Sequence, residues 1–347
     1  MTFENRNEIR TFSCPECFLC GSQGTLLYHG LKDRLFGAPG EWNFKKCQNS
    51  ECGLVWLDPV PIEEDIGKAY QNYFTHQDLV HTSDMGQLNN SLVNDSYIAL
   101  RYGYHPKLLS TWKEFWGMLM YLEVRIRPKA DLSVMYLPAK PGGRLLEVGC
   151  GSGLMLKRMF DLGWLVEGVD FDPVAVENSR RKGLQVRLGT MEEQEYPDNH
   201  FDAITMIHLI EHVHEPTRLL CECYRVIKPG GRLVIVTPNI ESLGHQLFKA
   251  SCFHLDPPRH LHLFSLSSLR QLIEKAGFHT SKALTTIREA DGLFIASRSI
   301  DRTGEHVWGR QYPFPILLWA RGMQFLEWAL LKIKRDVGEE IVLIAEK

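Results

Sequence analysis

Five of the nine cysteines lie within the first 52 residues, and four of these five form two pairs. Cys17 and Cys20 form a C-x-x-C motif, Cys47 and Cys52 form a C-x-x-x-x-C motif, and a glycine follows each pair. Four thiolates are the ligand set of a closed structural zinc site, and a tight turn ending in glycine lets backbone amides point at the sulfurs. The spacing therefore predicts a zinc module that folds and docks but does not catalyse.

Two alternatives to this ligand set are open. Cys14 forms a further C-x-x-C with Cys17 and is able to replace Cys20 as a ligand. The second alternative is that the cysteines are reduced thiols that hold no metal. The segment resembles a zinc ribbon, and the run CGLVWLDP at 52–59 resembles the exit strand of one.

A second set of residues could bind a nucleoside. Glu147 stands in an apolar stretch just before the glycine loop of LLEVGCGSG at 145–153. The dinucleotide fingerprint G-x-G-x-x-G requires glycine where Leu154 stands, so NAD is disfavoured. A bare loop and a carboxylate suit a ligand with a cationic group, and Asp170 closes the next predicted strand, where an acid can accept hydrogen bonds from a ribose. These residues predict a site for an adenosine with a positively charged tail.

The elements that position this loop alternate between strands and helices. Such alternation predicts an α/β, doubly wound fold with a parallel sheet, whose ligands bind at the carboxyl ends of the strands. The predicted strands are 143–148, 164–170, 184–188, 202–208 and 231–238, and the predicted helices between the first of them are 154–162 and 173–182.

Five motifs in this order carry a family resemblance: LLEVGCGSG, VEGVDFDP, FDAITMIHLIEHV, VIKPGGRLVIVTPN and LRQLIEKAGF. They resemble the successive motifs of class I S-adenosylmethionine-dependent methyltransferases of the small-molecule kind (type 11 or type 23) and span about 143–280. The resemblance implies a seven-stranded Rossmann-like sheet whose last strand is antiparallel, and EIVLIAEK at 340–347 suits that strand.

The resemblance also implies which residues hold S-adenosylmethionine. The loop glycines would surround its methionine part, Asp170 its ribose and Phe171 its adenine, while Glu147 would order the loop and the ammonium group. Glu192 beside Met191 is the nearest match to an acid near the adenine amine, and the alternative for this acid is a solvated turn. The full expected set is Glu147, Gly149, Cys150, Gly151, Gly153, Asp170, Phe171, Met191, Glu192 and His208.

Histidines follow the fourth and fifth predicted strands. Methyl transfer from a sulfonium requires alignment and exclusion of water, and a hydroxyl acceptor also needs a base, most often histidine. His260 in the run FHLDPPRHLHLFS is the predicted base, with Arg259 beside it facing the acceptor, and His212 and His208 are further catalytic candidates. The alternatives are a hydrogen-bonded lid histidine for His260, and a helix cap or pocket wall for His212.

A catalytic divalent metal near His208 and His212 is a separate possibility. Quinone-biosynthesis O-methyltransferases resemble this region and carry Glu-x-x-Glu-His here, which is associated with a divalent metal. This chain has His208 in place of the first glutamate. Use of a catalytic metal therefore stays open.

The chain is expected to divide into a zinc-ribbon-like module (1–60), a helical linker or cap (61–140) and a methyltransferase domain (141–347). The last would carry a lid at 241–265 and an amphipathic helical insertion near 300–335. Two apolar stripes with basic ends fit the protein core, a dimer contact, or a membrane surface or lipid-like substrate. Their residues are Leu108, Trp112, Phe115, Leu119, Leu122 and Ile126, and Ile316, Trp319, Met323, Leu326, Leu330 and Ile333.

The composition and charge of the chain argue against some classes of function. The net charge of -3 gives no global attraction to nucleic acid, and no dense basic run accompanies the cysteines. The start of the chain lacks the apolar core of a secretory signal, and the apolar run PFPILLWA at 313–320 is too short for a membrane span. A cytoplasmic protein is expected, with peripheral membrane contact as an open alternative.

The predicted function is methyl transfer from S-adenosylmethionine to a small-molecule, lipid-linked or sugar-linked acceptor, at oxygen and with a histidine base. One alternative is an RNA methyltransferase that recognises RNA through the zinc ribbon. Another is a docking protein without catalysis, which the intact glycine loop and Asp170 argue against. The acceptor itself is not identified by the fold.

Overall fold

The structure of the protein is a computed structural model that describes residues 8–71, 92–104 and 126–347. The predicted amphipathic helix from Leu108 to Ile126 lies, except for its last residue, outside the described residues. Within the described ranges, no helix is both long enough and apolar enough to cross a membrane.

The N-terminal part is built from short antiparallel strands around the cysteine pairs. Its main sheet has the order β11-β4-β3-β2, so that β11, from the predicted lid, forms one edge. A second ladder joins β1 to β5. The elements are β1 (Thr11–Phe12), β2 (Gly24–Leu31), β3 (Trp42–Cys47), β4 (Val55–Leu57), β5 (Val60–Pro61), the single-turn helix α1 (Glu63–Ile66) and a 3-10 turn at Gly67–Tyr70.

Between the N-terminal strands and the large sheet, the described residues form the helices α2 (Leu92–Tyr102) and α3 (Ile126–Leu132). Asp131 in α3 accepts hydrogen bonds from the hydroxyls of Tyr97 and Tyr102 in α2, both at 2.8 Å. Trp164 donates to the hydroxyl of Tyr104 at 3.0 Å. The Asp131 contacts join the two helices to each other, and the Trp164 contact joins the described part of the linker to the second half of the chain.

The described residues of the second half form a seven-stranded sheet of order β12-β13-β10-β9-β6-β7-β8. Strands β6 to β10 run parallel, and β13 is antiparallel to both neighbours, β10 and β12. The predicted doubly wound fold with an antiparallel last strand is confirmed. Its strands are β6 (Arg144–Val148), β7 (Leu165–Asp170), β8 (Val186–Leu188), β9 (Phe201–Ile207), β10 (Ile227–Pro238), β12 (His279–Thr286) and β13 (Glu340–Glu346).

Helices cover both faces of this sheet because its central strands are buried on both sides. Local signals fix where two of them begin. Asp172 accepts the N–H of Val174 ahead of Pro173, and Ser265 exchanges hydrogen bonds with Ser268 in a capping box. The helices are α4 (Leu154–Asp161), α5 (Pro173–Arg181), α6 (Pro216–Val226), α7 (Leu243–Phe248), α8 (Leu266–Lys275), α9 (Ala290–Thr303) and α10 (Phe314–Leu330).

The predicted lid at 241–265 contains α7, two 3-10 turns and β11 (His262–Leu263). Strand β11 pairs with β4, with His262 opposite Trp56 and Leu263 opposite Val55. The backbone N–H of Leu57 also donates to Leu261 at 2.9 Å. The lid is therefore joined to the cysteine-bearing module by backbone hydrogen bonds.

Candidate cofactor pocket and histidine cluster

The four predicted zinc ligands converge. The sulfurs of Cys17 and Cys52 are 3.7 Å apart and those of Cys20 and Cys47 are 3.4 Å apart, and all four lie within 4.8 Å of one another. In a tetrahedral site with zinc–sulfur bonds of about 2.3 Å, the sulfurs would be separated by about 3.8 Å. Cys14 lies outside this group, and its backbone instead binds Asp58 and Trp56.

Backbone amides are directed at these sulfurs, as the turn geometry predicts. The N–H groups of Leu19 and Cys20 hydrogen-bond to the sulfur of Cys17, and the N–H of Leu54 to that of Cys52. The contact with Cys52 is the largest cause that lowers the pKa of Cys17, to about 5. Amides that stabilise thiolates form the environment that a structural zinc ion requires.

The glycines of the loop after β6 serve different purposes. Gly149 has a φ of +71°, and a Cβ there would lie 2.8 Å from Leu209. Gly153 has a φ of +69° and lies directly against Ser179, so it lets the loop pack on α5. At Gly151 an added Cβ would meet no heavy atom of the described chain within 4 Å. The open surface of the loop is therefore at Gly151.

Cys150 lies beneath this loop. Its side chain is buried, and a Cβ at Gly168 would lie 2.7 Å from its sulfur. Burial raises the pKa of the Cys150 thiol, so the thiol is protonated at neutral pH. Cys150 thus packs the loop against β7.

Two buried acids flank the open loop. Asp170 accepts the N–H of Gly151 at 2.7 Å and that of Asp172 at 2.9 Å. Glu147 is 3% exposed, and its Oε2 has no hydrogen-bond partner among the described residues. Burial, with a contribution from Asp170, raises the pKa of Glu147 well above its usual range. An orphaned acid in this position fits a ligand that brings a cationic group.

The other predicted nucleoside contacts lie at the ends of β7 and β8. Phe171 is half exposed, as an aromatic that stacks on a base should be. Met191 is buried in the core, and Glu192 is partly buried with its carboxylate 4.0 Å from Arg218. The ring of Tyr70, from the first part of the chain, meets the ring of Phe171 edge to face at 5.8 Å.

Tyr70 also connects this pocket to the histidines. Its hydroxyl lies 3.0 Å from Nδ1 of His212, and this Nδ1 is 3.0 Å from the carbonyl oxygen of Arg259. Nδ1 of His260 donates to the carbonyl of His254 at 2.7 Å. The ring centroids of His212 and His260 are 4.8 Å apart. Because a carbonyl only accepts, both Nδ1 atoms carry a proton, which makes Nε2 the ring nitrogen that can serve as a base.

Glu211 completes this cluster. Its Oε2 accepts the hydroxyl of Thr237 at 2.9 Å, whereas Oε1 makes no hydrogen bond within the part of the chain that the structure describes. Ligand atoms of Glu211, His212 and His260 lie within 4.8 Å of one another. Oε1 lies 3.4 Å from Nδ1 of His208, so this histidine is its ion-pair partner. Burial is the main cause that lowers the pKa of His212 to about 4, so this imidazole is neutral at pH 7.

His208 is placed differently from the other histidines. Its Nδ1 lies 3.4 Å from Glu211 and its Nε2 lies 2.8 Å from Glu340, and its backbone has a φ of +52°. Burial disfavours its charge, but the two carboxylates outweigh burial and raise the pKa of His208 to about 9. A cationic imidazole at neutral pH is a poor proton acceptor.

Arg259 does not face the pocket, contrary to the expectation from its sequence. Its side chain is fully buried, and its guanidinium binds both oxygens of Asp33 at 2.7 and 2.8 Å and Asp256 at 3.0 Å. Asp33 belongs to the N-terminal module, so this ion cluster anchors the lid to that module.

Comparison with known proteins finds a family match in the middle of the chain. Residues 121–282 match the family described as "Methyltransferase domain". A ubiquinone biosynthesis O-methyltransferase of Xanthomonas oryzae pv. oryzae is 37% identical over 105 residues, which are 28% of this chain and 44% of the relative. Residues 121–282 therefore match a methyltransferase domain family.

Other matches of the methyltransferase domain are of the same kind. A probable S-adenosylmethionine-dependent methyltransferase of Mycolicibacterium smegmatis is 30% identical over 145 residues, which cover 41% of this chain and 54% of the relative. A crystal structure of an S-adenosylmethionine-dependent methyltransferase from Archaeoglobus fulgidus aligns at 21% identity with a TM-score of 0.44, covering 65% and 94% of the two chains. The chain spans about half the length of the curated relatives it matches.

The candidate site also includes two residues, Tyr70 and Glu340, that the sequence did not reveal. Tyr70 stood only in an aromatic cluster far from the glycine loop. Glu340 begins the last strand, and its carboxylate binds Arg288 at 2.8 Å and His208. No local motif distinguishes these residues, since tertiary packing brings Tyr70 to His212 and the sheet order brings Glu340 to His208.

Proposed function

We propose that the protein transfers a methyl group from S-adenosylmethionine to a hydroxyl of a small-molecule, lipid-linked or sugar-linked acceptor. The observation that carries this proposal is that His212 and His260 each direct Nδ1 at a backbone carbonyl, which leaves Nε2 of each ring to act as a base. They are linked to the nucleoside pocket through the contacts of Tyr70 with His212 and Phe171. Relatives named ubiquinone biosynthesis O-methyltransferases support oxygen as the methylated atom.

In this proposal the carboxylates and the open loop hold the methyl donor. Gly149 and Gly151 lie against its methionine part, with Gly153 and Cys150 shaping the loop beneath. Asp170 binds the ribose and Phe171 stacks on the adenine, with Met191 and Glu192 at the far side of the base. Glu147 neutralises the ammonium group, because its carboxyl is buried without a partner for Oε2 among the described residues.

When bound, S-adenosylmethionine supplies the methyl group from its sulfonium sulfur. His260 accepts the acceptor's hydroxyl proton at Nε2, and the hydrogen bond from Nδ1 to His254 holds the ring in place. Asp256, 3.9 Å from Nε2, stabilises the imidazolium that results. His212 shapes the opposite wall, and His208 with Glu340 provides a fixed charge pair at the end of the sheet.

The four cysteines are proposed to hold one zinc ion with no catalytic role. Cys17, Cys20, Cys47 and Cys52 would fill its coordination shell and leave no open position for water. The hydroxyls of Ser265 and Ser267 lie 3.4 and 3.3 Å from the carbonyl oxygen of Cys52. The ion would therefore stabilise the surface on which the lid is seated.

Titration calorimetry with S-adenosylmethionine, followed by transfer of its labelled methyl group to a panel of phenols, sugar hydroxyls and polyprenyl-linked sugars, tests the proposal. We expect binding by the parent protein and labelling of a hydroxyl compound. Absence of binding would refute the enzyme and favour a docking protein. Labelling of RNA, with salt-sensitive RNA binding, would favour the alternative acceptor instead.

A further inference from the structure

Helix α10 exposes a row of large apolar side chains. Phe314, Leu318 and Phe325 are 71%, 58% and 61% exposed, and their spacing of four and seven residues places them on one side of the helix. The opposite side, with Ala320, Gln324 and Glu327, is buried against the protein. The helix is thus seated on the domain while its apolar row is turned to solvent in the structure described.

The exposed charges around this row are mainly positive. Between residues 310 and 336 the chain has five cationic side chains and two acids, of which Glu327 is fully buried and Asp336 lies 3.8 Å from Lys334. The protein as a whole has a net charge of -3, so this cationic stretch is a local feature. The cations, all exposed, are Arg310, Arg321, Lys332, Lys334 and Arg335.

The end of the helix continues the same pattern. Ile333 is 87% exposed between Lys332 and Lys334, where an isolated aliphatic side chain in water has no compensating contact. Such a combination of an apolar row and flanking cations is the chemistry of a helix that lies in the headgroup region of a bilayer. Lys and Arg side chains extend from such a helix toward lipid phosphates.

Charge also distinguishes the occupants of this surface. A second copy of the chain packed on α10 would bring the same cations to the contact, and the one acid of α10, Glu327, is buried and cannot pair with them. An anionic lipid surface would instead attract these cations. We propose that α10 is a membrane-surface helix that binds anionic phospholipid through its apolar row and flanking cations. This inference is independent of the proposed methyl transfer.

Vesicle flotation tests the proposal. The full chain is mixed with vesicles of phosphatidylcholine alone or with phosphatidylglycerol added, at low and high salt. We expect flotation with the anionic vesicles only, at least about tenfold weaker in 0.5 M salt because the charges are screened. Leu318→Glu/Phe325→Glu and Lys332→Glu/Arg335→Glu should each abolish it.

Phe160→Glu is the matched control, because Phe160 is 53% exposed on α4 and next to a lysine, Lys157. This variant should float like the parent, and circular dichroism with thermal unfolding shows separately whether each variant is folded. Equal flotation with neutral and anionic vesicles, or unchanged flotation of the Leu318→Glu/Phe325→Glu variant, would overturn the proposal. The proposal would also be overturned if the parent binds no vesicles and is a dimer in light scattering, and if the Leu318→Glu/Phe325→Glu variant is a monomer.

Discussion

Nδ1 of His212 lies 3.0 Å from the carbonyl oxygen of Arg259, so a backbone atom of the lid selects the tautomer of a histidine that follows β9. The next residue of the lid is His260, whose ring is 4.8 Å away. The two imidazoles are therefore oriented by one short segment, and that segment is fixed by the guanidinium of Arg259.

Replacement of the proposed base tests its role directly. We expect His260→Gln to lower the single-turnover rate of methyl transfer by about 10²–10⁴-fold, the usual contribution of a general base. The affinity for S-adenosylmethionine should stay within about twofold, since the change does not touch the proposed donor site. His214→Gln is the control, because Nε2 of His214 binds only the carbonyl of Pro61 among the contacts described. An equal loss in both variants would exclude His260 as the base.

Loss of the acid at the end of β7 should weaken donor binding. We expect Asp170→Ala to raise the Kd for S-adenosylmethionine by at least about tenfold, because a charge-assisted hydrogen bond contributes about 1.5–3 kcal/mol. Asp172→Ala is the matched control, since Asp172 caps α5 and should affect stability more than affinity. Calorimetry on both variants is decisive, and equal affinities would remove Asp170 from the donor site.

The buried ion cluster should be important for stability. Arg259→Met leaves Asp33 and Asp256 buried without their cation, and we expect a loss of about 3–5 kcal/mol in the free energy of unfolding. Arg218→Met removes an exposed pair with Glu215, and its effect should be below about 1 kcal/mol. Urea denaturation followed by fluorescence compares the two. Similar losses would show that the cluster does not anchor the lid.

Metal content distinguishes the cysteines. We expect about one zinc per chain in the parent and in Cys14→Ser, and none in Cys20→Ser, because Cys14 lies outside the sulfur cluster. Loss of metal should also raise amide exchange in β11 and at the start of α8, which contact the cysteine turns. Colorimetric zinc release and hydrogen exchange provide the two readouts. Metal loss in Cys14→Ser alone would reassign the ligand.

The ionisation of His208 predicts a pH-dependent stability. Its folded pKa of about 9 is above the unfolded value of about 6.5, so its contribution is complete below pH 6.5 and disappears as the pH rises through 9. The difference in Tm between the parent and His208→Gln should therefore be largest at pH 6 and vanish by pH 10. His29→Gln, at an exposed position, should show no such trend. A constant difference for His208 would contradict its pairing with Glu211 and Glu340.

The sheet was predictable because its strands are continuous apolar runs separated by helices of ordinary length. The cysteine pairs were equally predictable, because the two ligands of each pair are close together in the sequence. His208 was not, because the carboxylate that binds it, Glu340, is 132 residues away along the chain. Sequence spacing carries no information about charges that meet only when β13 inserts between β10 and β12.

The attachment of the lid was equally hidden. Strand β11 has two residues, too few for any periodic pattern to indicate a strand. Arg259 was expected to face the acceptor, but its side chain is buried against Asp33 and Asp256. A short strand and a distant counterion are both consequences of tertiary packing.

The shared sheet also determines which pieces of this molecule could be exchanged between relatives. Because β11 closes a sheet whose other strands come from residues 24–57, a crossover placed between the cysteine region and the glycine loop would separate a strand from its neighbours. A functional chimera would have to transplant the first 60 residues together with the segment around 253–271. Inheritance of the two as a linked pair is the expected evolutionary signature.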